Sequence, residues 1–111
     1  MGIKTKKGPN ALLLIMQDVD EAYEPELNAS LDEEHLPQQL KMPGFKSVRR
    51  FVRVDGNGPK YMHFWEMESL DALKSEEFLQ AAANPTERSR EKFKHQDKTT
   101  YKRVIYVELH E

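Results

Sequence analysis

The stretch Ala11-Leu-Leu-Leu-Ile-Met16 constrains the fold more than any other part of the chain. Successive side chains of a strand point to opposite sides, and here every one of them is apolar. Such a strand belongs in the middle of a sheet that is covered on both faces. The stretch is far shorter than the roughly 20 residues that span a bilayer, and too short for a signal-peptide core, so a cytoplasmic protein without membrane contact is expected. Residues 1–10 before it are rich in Lys, Gly and Pro and read as a basic tail. At 111 residues the chain has room for one hydrophobic core, so residues 11–111 are expected to form a single domain.

Further along, Pro25 suits the first turn of a helix, where its missing N–H costs nothing, and the helix is expected to run to about Gln39. Leu27, Leu31 and His35 repeat at four-residue intervals on one stripe, with Leu36 and Leu40 beside it. Lys46 to Val54 alternates as a strand, and Arg49, Arg50 and Arg53 mark it as an edge, where charge discourages aberrant pairing. Asp55-Gly-Asn-Gly-Pro59 is a hairpin turn, and Lys60 to Glu68 is the third strand. Ser69 and Ser75 are placed to cap helical segments, Asn84-Pro85 stops the second of them, and Thr86 to about Phe93 is a short charged helix. Thr99 to Leu109 is the last strand.

The resulting order, β-α-β-β-α-β, is a ferredoxin-like α+β plan: a four-stranded antiparallel sheet with the helices on one face. The helices then cover one face of the two-sided first strand, and a second copy packing sheet to sheet is the simplest cover for the other. A homodimer is therefore expected.

Composition removes whole classes of chemistry. There is no Cys, which excludes disulfides, thiolate metal sites and Cys nucleophiles. Lys and Arg number 17 against 19 Asp and Glu, so the electrostatic footprint of a nucleic-acid binder is missing. No P-loop, dinucleotide fingerprint or nucleophile elbow is present, and no His spacing matches a metal-ligand pattern. No cofactor or metal is expected, and any chemistry falls to His, Tyr and carboxylates.

Asn28-Ala-Ser-Leu-Asp-Glu-Glu-His35-Leu-Pro37 followed by Met42-Pro-Gly-Phe45 resembles the EthD-like branch of the dimeric α/β-barrel superfamily. That branch has an aromatic pair, an acidic stretch, Glu-His-Leu-Pro and then Pro-Gly-Phe. Pro59-Lys60-Tyr61, Glu66 and Asn84-Pro85-Thr86 extend the likeness over most of the chain. The resemblance implies a dimeric barrel with a small-molecule pocket. The superfamily includes cofactor-independent monooxygenases, polyketide cyclases, lactone isomerases and haem-dependent dye peroxidases, so the fold does not select one activity. Ser30 and Leu31 stand where the branch carries its aromatic pair, which implies a differently shaped, roomier pocket beside His35.

His35 is the leading catalytic candidate. An imidazole at an apolar wall can exchange protons with a phenol or enolate; the alternative is a buried histidine tied to a carbonyl or carboxylate. Asp32, one turn earlier, is placed to orient it. Tyr61, His63 and Trp65 share a strand face and offer polar tips with flat walls. They either line a cavity with His35 or lie at the dimer interface. Tyr101 and Tyr106 fall on opposite faces, so one of them meets the cavity, and Tyr106 is carried as the candidate lining residue. His95 reads as solvated. The expected function is a small cofactor-independent enzyme acting by proton transfer, of cyclase, isomerase or monooxygenase type. Its substrate would be a compact aromatic, polyketide-like or lactone molecule. The alternative is a non-catalytic ligand-binding or accessory dimer.

Overall fold

A computed structural model describes residues 4–5 and 10–110. Four strands, β1 (Ala11–Gln17), β2 (Phe45–Val52), β3 (Tyr61–Met67) and β4 (Lys102–Val107), form one antiparallel sheet in the order β2-β3-β1-β4. The apolar β1 is central, and the arginine-bearing β2 is an edge, as their compositions require. Of the expected basic tail, residues 1–3 and 6–9 lie outside the described residues. Lys4–Thr5 pairs antiparallel with Leu109–His110.

Register assigns the faces. Leu13 pairs with Trp65 and Ile105, and Ile15 with His63 and Arg103. Val48 pairs with Trp65 and Arg50 with His63. Directly paired residues share a face, so the Tyr61-His63-Trp65 row lies on the same side as Leu13. This side carries the helices and the core, built from Ala11, Leu13, Leu27, Leu31, Phe45 and Trp65 among others. Phe45 meets Trp65 edge-on at 5.3 Å between ring centroids. The other side, with Leu12, Leu14, Met16, Phe64 and Val104, has no covering layer among the described residues. There Phe51 stacks on Phe64 at 5.6 Å, and the Arg49 guanidinium lies 4.9 Å from the Phe64 ring.

The first helix, α1 (residues 24–40), is not uniform. An α-helical segment, Glu24–Ser30, passes into a π-helical turn, Leu31–His35, and returns to α-helix over Leu36–Leu40. The Leu36 N–H bonds the Leu31 carbonyl, five residues back. Pro37 explains the widening. It has no N–H for the ladder, and in a regular helix its ring collides with the carbonyl four residues earlier. The wider turn shifts the buried stripe to Leu27, Leu31, Leu36 and Gln39 and leaves Leu40 at 40% exposure. This corrects the expected regular stripe: His35 moves off the core line to its edge.

Ser69 accepts a hydrogen bond from the Asp71 N–H at the start of a 3-10 segment, Leu70–Lys74. Ser75 caps α2 (Glu76–Ala83) through the Phe78 N–H. Thr86 caps α3 (Glu87–His95) through the Ser89 N–H. These side-chain oxygens satisfy donors that a helix start leaves unpaired. His95 is not simply solvated. Its Nδ1 lies 2.6 Å from Asp20, its Nε2 3.3 Å from Glu91, and its ring stacks on Tyr23 at 4.2 Å. The Asp20 carboxylate holds the His95 pKa above its usual value.

Candidate active site

A cavity of about 340 Å³ lies between the helix-side face of the sheet and α1, α2 and α3. Leu13, Ile15 and Gln17 of β1, His63 and Trp65 of β3, and Arg103 of β4 form its floor. His35, Gln38 and Gln39 of α1 form one wall, Phe78, Ala81 and Ala82 of α2 another, and Ser89, Lys92 and Phe93 of α3 a third. Gln96, Tyr101, Met42 and the Asn84-Pro85-Thr86 turn also line it. Apolar walls with a few convergent polar groups are the usual make-up of a small-molecule site.

Two histidines meet at this cavity. The rings of His35 and His63 are 6.5 Å apart and nearly perpendicular, and His63 stands 6.3 Å from Trp65 in the same manner. Burial drives the pKa of His35 down to about 4, with the charge of Lys92 adding to the effect and Glu34 opposing it. Burial drives His63 down to about 3, with His35, Lys92 and Arg50 adding to it. Taking an imidazolium out of water is the larger cause in both. At neutral pH both rings are therefore uncharged, each with one donor and one acceptor nitrogen.

The other expected site residues scatter. Trp65, 1% exposed, is in the floor. Asp32 faces away from His35: its carboxylate is mostly exposed and accepts a bond from Arg50 at 3.0 Å. The π-turn rotates it toward β2, where Arg50 also bonds Asn28. Ser30 and Leu31 are each 1% exposed, on the buried side of α1 and not among the residues lining the cavity. Tyr61 points to the far end of the row, where its hydroxyl donates to Glu24 at 2.6 Å. Glu24 also accepts from Lys60 at 2.6 Å, and these two bonds hold its carboxyl below the usual range. Tyr106 lies on the uncovered face at 54% exposure; Tyr101, its counterpart on the helix side, reaches the cavity.

Sequence reasoning missed Lys92, Gln17 and Gln96. Ser89, Lys92 and Gln96 fall at i, i+3 and i+7, the spacing of one helix face. The inward stripe of α3 is therefore polar, and a search for apolar periodicity passes over it. That polar stripe was the available signal. Among the described residues no three His, Asp or Glu side chains converge as a metal-ligand set, and no helix is long and apolar enough to cross a membrane.

No protein-family model matches the chain, and no curated protein matches it in sequence. Solved structures do match. One is an ethyl tert-butyl ether D (EthD) family protein from Bacillus halodurans, with TM-score 0.62 and 10% identity, covering 89% of this chain and 98% of that one. Another is SnoaB, a cofactor-independent oxygenase from Streptomyces nogalater, with TM-score 0.61 and 12% identity, covering 90% and 93%. A third is a dimeric protein of unknown function and ferredoxin-like fold from Bacteroides fragilis, with TM-score 0.54 and 12% identity, covering 95% and 100%. The chain thus has a ferredoxin-like α+β fold.

Proposed function

We propose that the chain is a small cofactor-independent enzyme that moves a proton on a compact aromatic, polyketide-like or lactone substrate. The observation that carries this reading is the pair of uncharged imidazoles facing one apolar cavity. A neutral ring accepts the proton of an acidic C–H or O–H, and the electron pair left behind moves to the substrate's oxygen as enolate or phenolate. Returning the proton to a different atom completes an isomerisation, and attack of the enolate on a second carbonyl completes a cyclisation. With dioxygen as co-reactant the same carbanion leads to monooxygenase chemistry. The low basicity of His35 owes part of its size to Lys92, and an anionic oxygen beside that cation offsets it. Base strength then rises when substrate is bound.

The fold of a cofactor-independent oxygenase among the similar structures supports the reading without fixing a substrate. We also propose a homodimer in which a second copy covers Leu12, Leu14, Met16 and Phe64. The support is the uncovered apolar face and a neighbour described as dimeric. Light scattering at micromolar concentration is expected to give twice the chain mass, and a monomer would reject the assembly.

A thermal-shift screen of such compounds, followed by mass spectrometry of each hit, tests the activity. The expected result is a converted hit whose kcat/KM falls about 100-fold or more in His35→Ala. A ligand that binds and leaves unmodified would favour the non-catalytic binding protein instead.

A further inference from the structure

We propose that Lys92 and the Gln17 amide form an anion subsite in this cavity, so that the ligand carries a carboxylate or an equally acidic oxygen on its aromatic or polyketide-like body. The inference rests on the cavity being the ligand site and adds the chemical class of the ligand.

Three observations point there. First, Lys92 is 7% exposed yet lines the cavity. Burial lowers its pKa, and among the described residues no carboxylate partner offsets that. A buried ammonium without a counter-ion is costly, and a bound anion removes the cost. Second, Gln17 is 1% exposed, and its Nε2 has no partner among the described residues. Its Oε1 is already taken by the Gln96 Nε2 at 2.8 Å, so the free NH₂ is held in place as a donor. An unmet buried donor of this kind is rare in a finished structure and calls for an acceptor. Third, the residues lining the cavity include two cations, Lys92 and Arg103, and no Asp or Glu. Carboxylates are plentiful elsewhere: Glu34 bonds Thr86, and Glu26 and Glu33 bond Arg88. The cavity lining thus carries cations with no carboxylate to balance them, and it attracts negative charge.

A matched pair of two-ring probes tests this, β-naphthoate and its neutral counterpart β-naphthamide, with binding read by calorimetry. Intact protein is expected to prefer the carboxylate by about 10- to 100-fold, the scale of one charge-assisted hydrogen bond. Lys92→Met keeps the side chain's length and apolar stem. It is expected to abolish the preference while still binding the amide, and Lys92→Arg to restore most of it. Gln17→Leu is expected to reduce the preference several-fold without abolishing it. Equal binding of both probes to intact protein would overturn the subsite and leave the cavity reading standing. A preference that survives in Lys92→Met would also overturn it. Binding of neither probe would overturn the subsite and the ligand cavity together.

Discussion

Acid should weaken this fold well before its carboxylates titrate. His35 and His63 take up protons near pH 4 and pH 3 in the folded chain, against 6.5 for an ordinary histidine. Above pH 6.5 both states leave the rings neutral, and the shift has no effect on stability. Below it the unfolded chain binds protons that the folded chain does not, so stability falls as pH falls. Each histidine contributes up to about 1.4 kcal/mol per pH unit in that window, and half of that at pH 6.5 itself, so going from pH 6.5 to 5 removes about 3 kcal/mol for the pair. His95 has the opposite sign. Its raised pKa gives stability that is full below pH 6.5 and lost as pH rises through the folded value. The lowered carboxylates Glu24, Glu91 and Asp97 lose their contribution only as pH falls below the usual carboxylate range. The assay is urea unfolding followed by the fluorescence of Trp65, the chain's one tryptophan. A His35→Gln, His63→Gln double variant should have lower stability at pH 7 and a nearly flat profile between pH 6.5 and 5. A flat profile in the unmodified protein, or an unchanged slope in the double variant, would refute the burial argument.

Three further outcomes follow from local geometry. Leu27→Ala, at a side chain with no exposure, should cost about 2–5 kcal/mol in the same unfolding assay. Gly44→Ala should cost about 1–3 kcal/mol, because the backbone there has φ +87° and an added Cβ would sit 2.8 Å from the Ala72 Cβ. Asp32→Asn breaks an exposed pair with Arg50, so kcat/KM on any substrate found should stay within about twofold; a loss of an order of magnitude would return Asp32 to the site.

Local chemistry made much of the fold legible. Ser69 and Ser75 cap the segments that their spacing marks, and the two-sided apolar β1 sits in the middle of the sheet; the charged helix expected from Thr86 starts at Glu87, with Thr86 as its cap. The site was less legible because it depends on what lies across from each strand and on one local distortion. Alternation put Tyr61, His63 and Trp65 on one face without saying which face met the helices, and likewise for Tyr101 and Tyr106. Pairing across β1 decides both. Pro37 sits in plain view, yet the π-turn it induces changes the phase of α1, which carries Asp32 toward Arg50 and His35 to the cavity edge. Lys92 stayed hidden for a different reason: a lysine at an inward position of a charged helix looks like a solvated face until the packing is known.

If the paired neutral imidazoles move protons for a molecule in the cavity, deuterium from solvent should enter an enolisable ketone held there. β-Tetralone, a two-ring enolisable ketone, is incubated with the protein in D₂O. Loss of its benzylic α-proton signal is followed by NMR, and binding is checked by Trp65 fluorescence. Exchange is expected to be faster than in buffer and to fall by about 100-fold in the His35→Gln, His63→Gln double variant. Ketone that is bound yet exchanges at the buffer rate, or exchange unchanged in the double variant, would contradict that role of the two histidines.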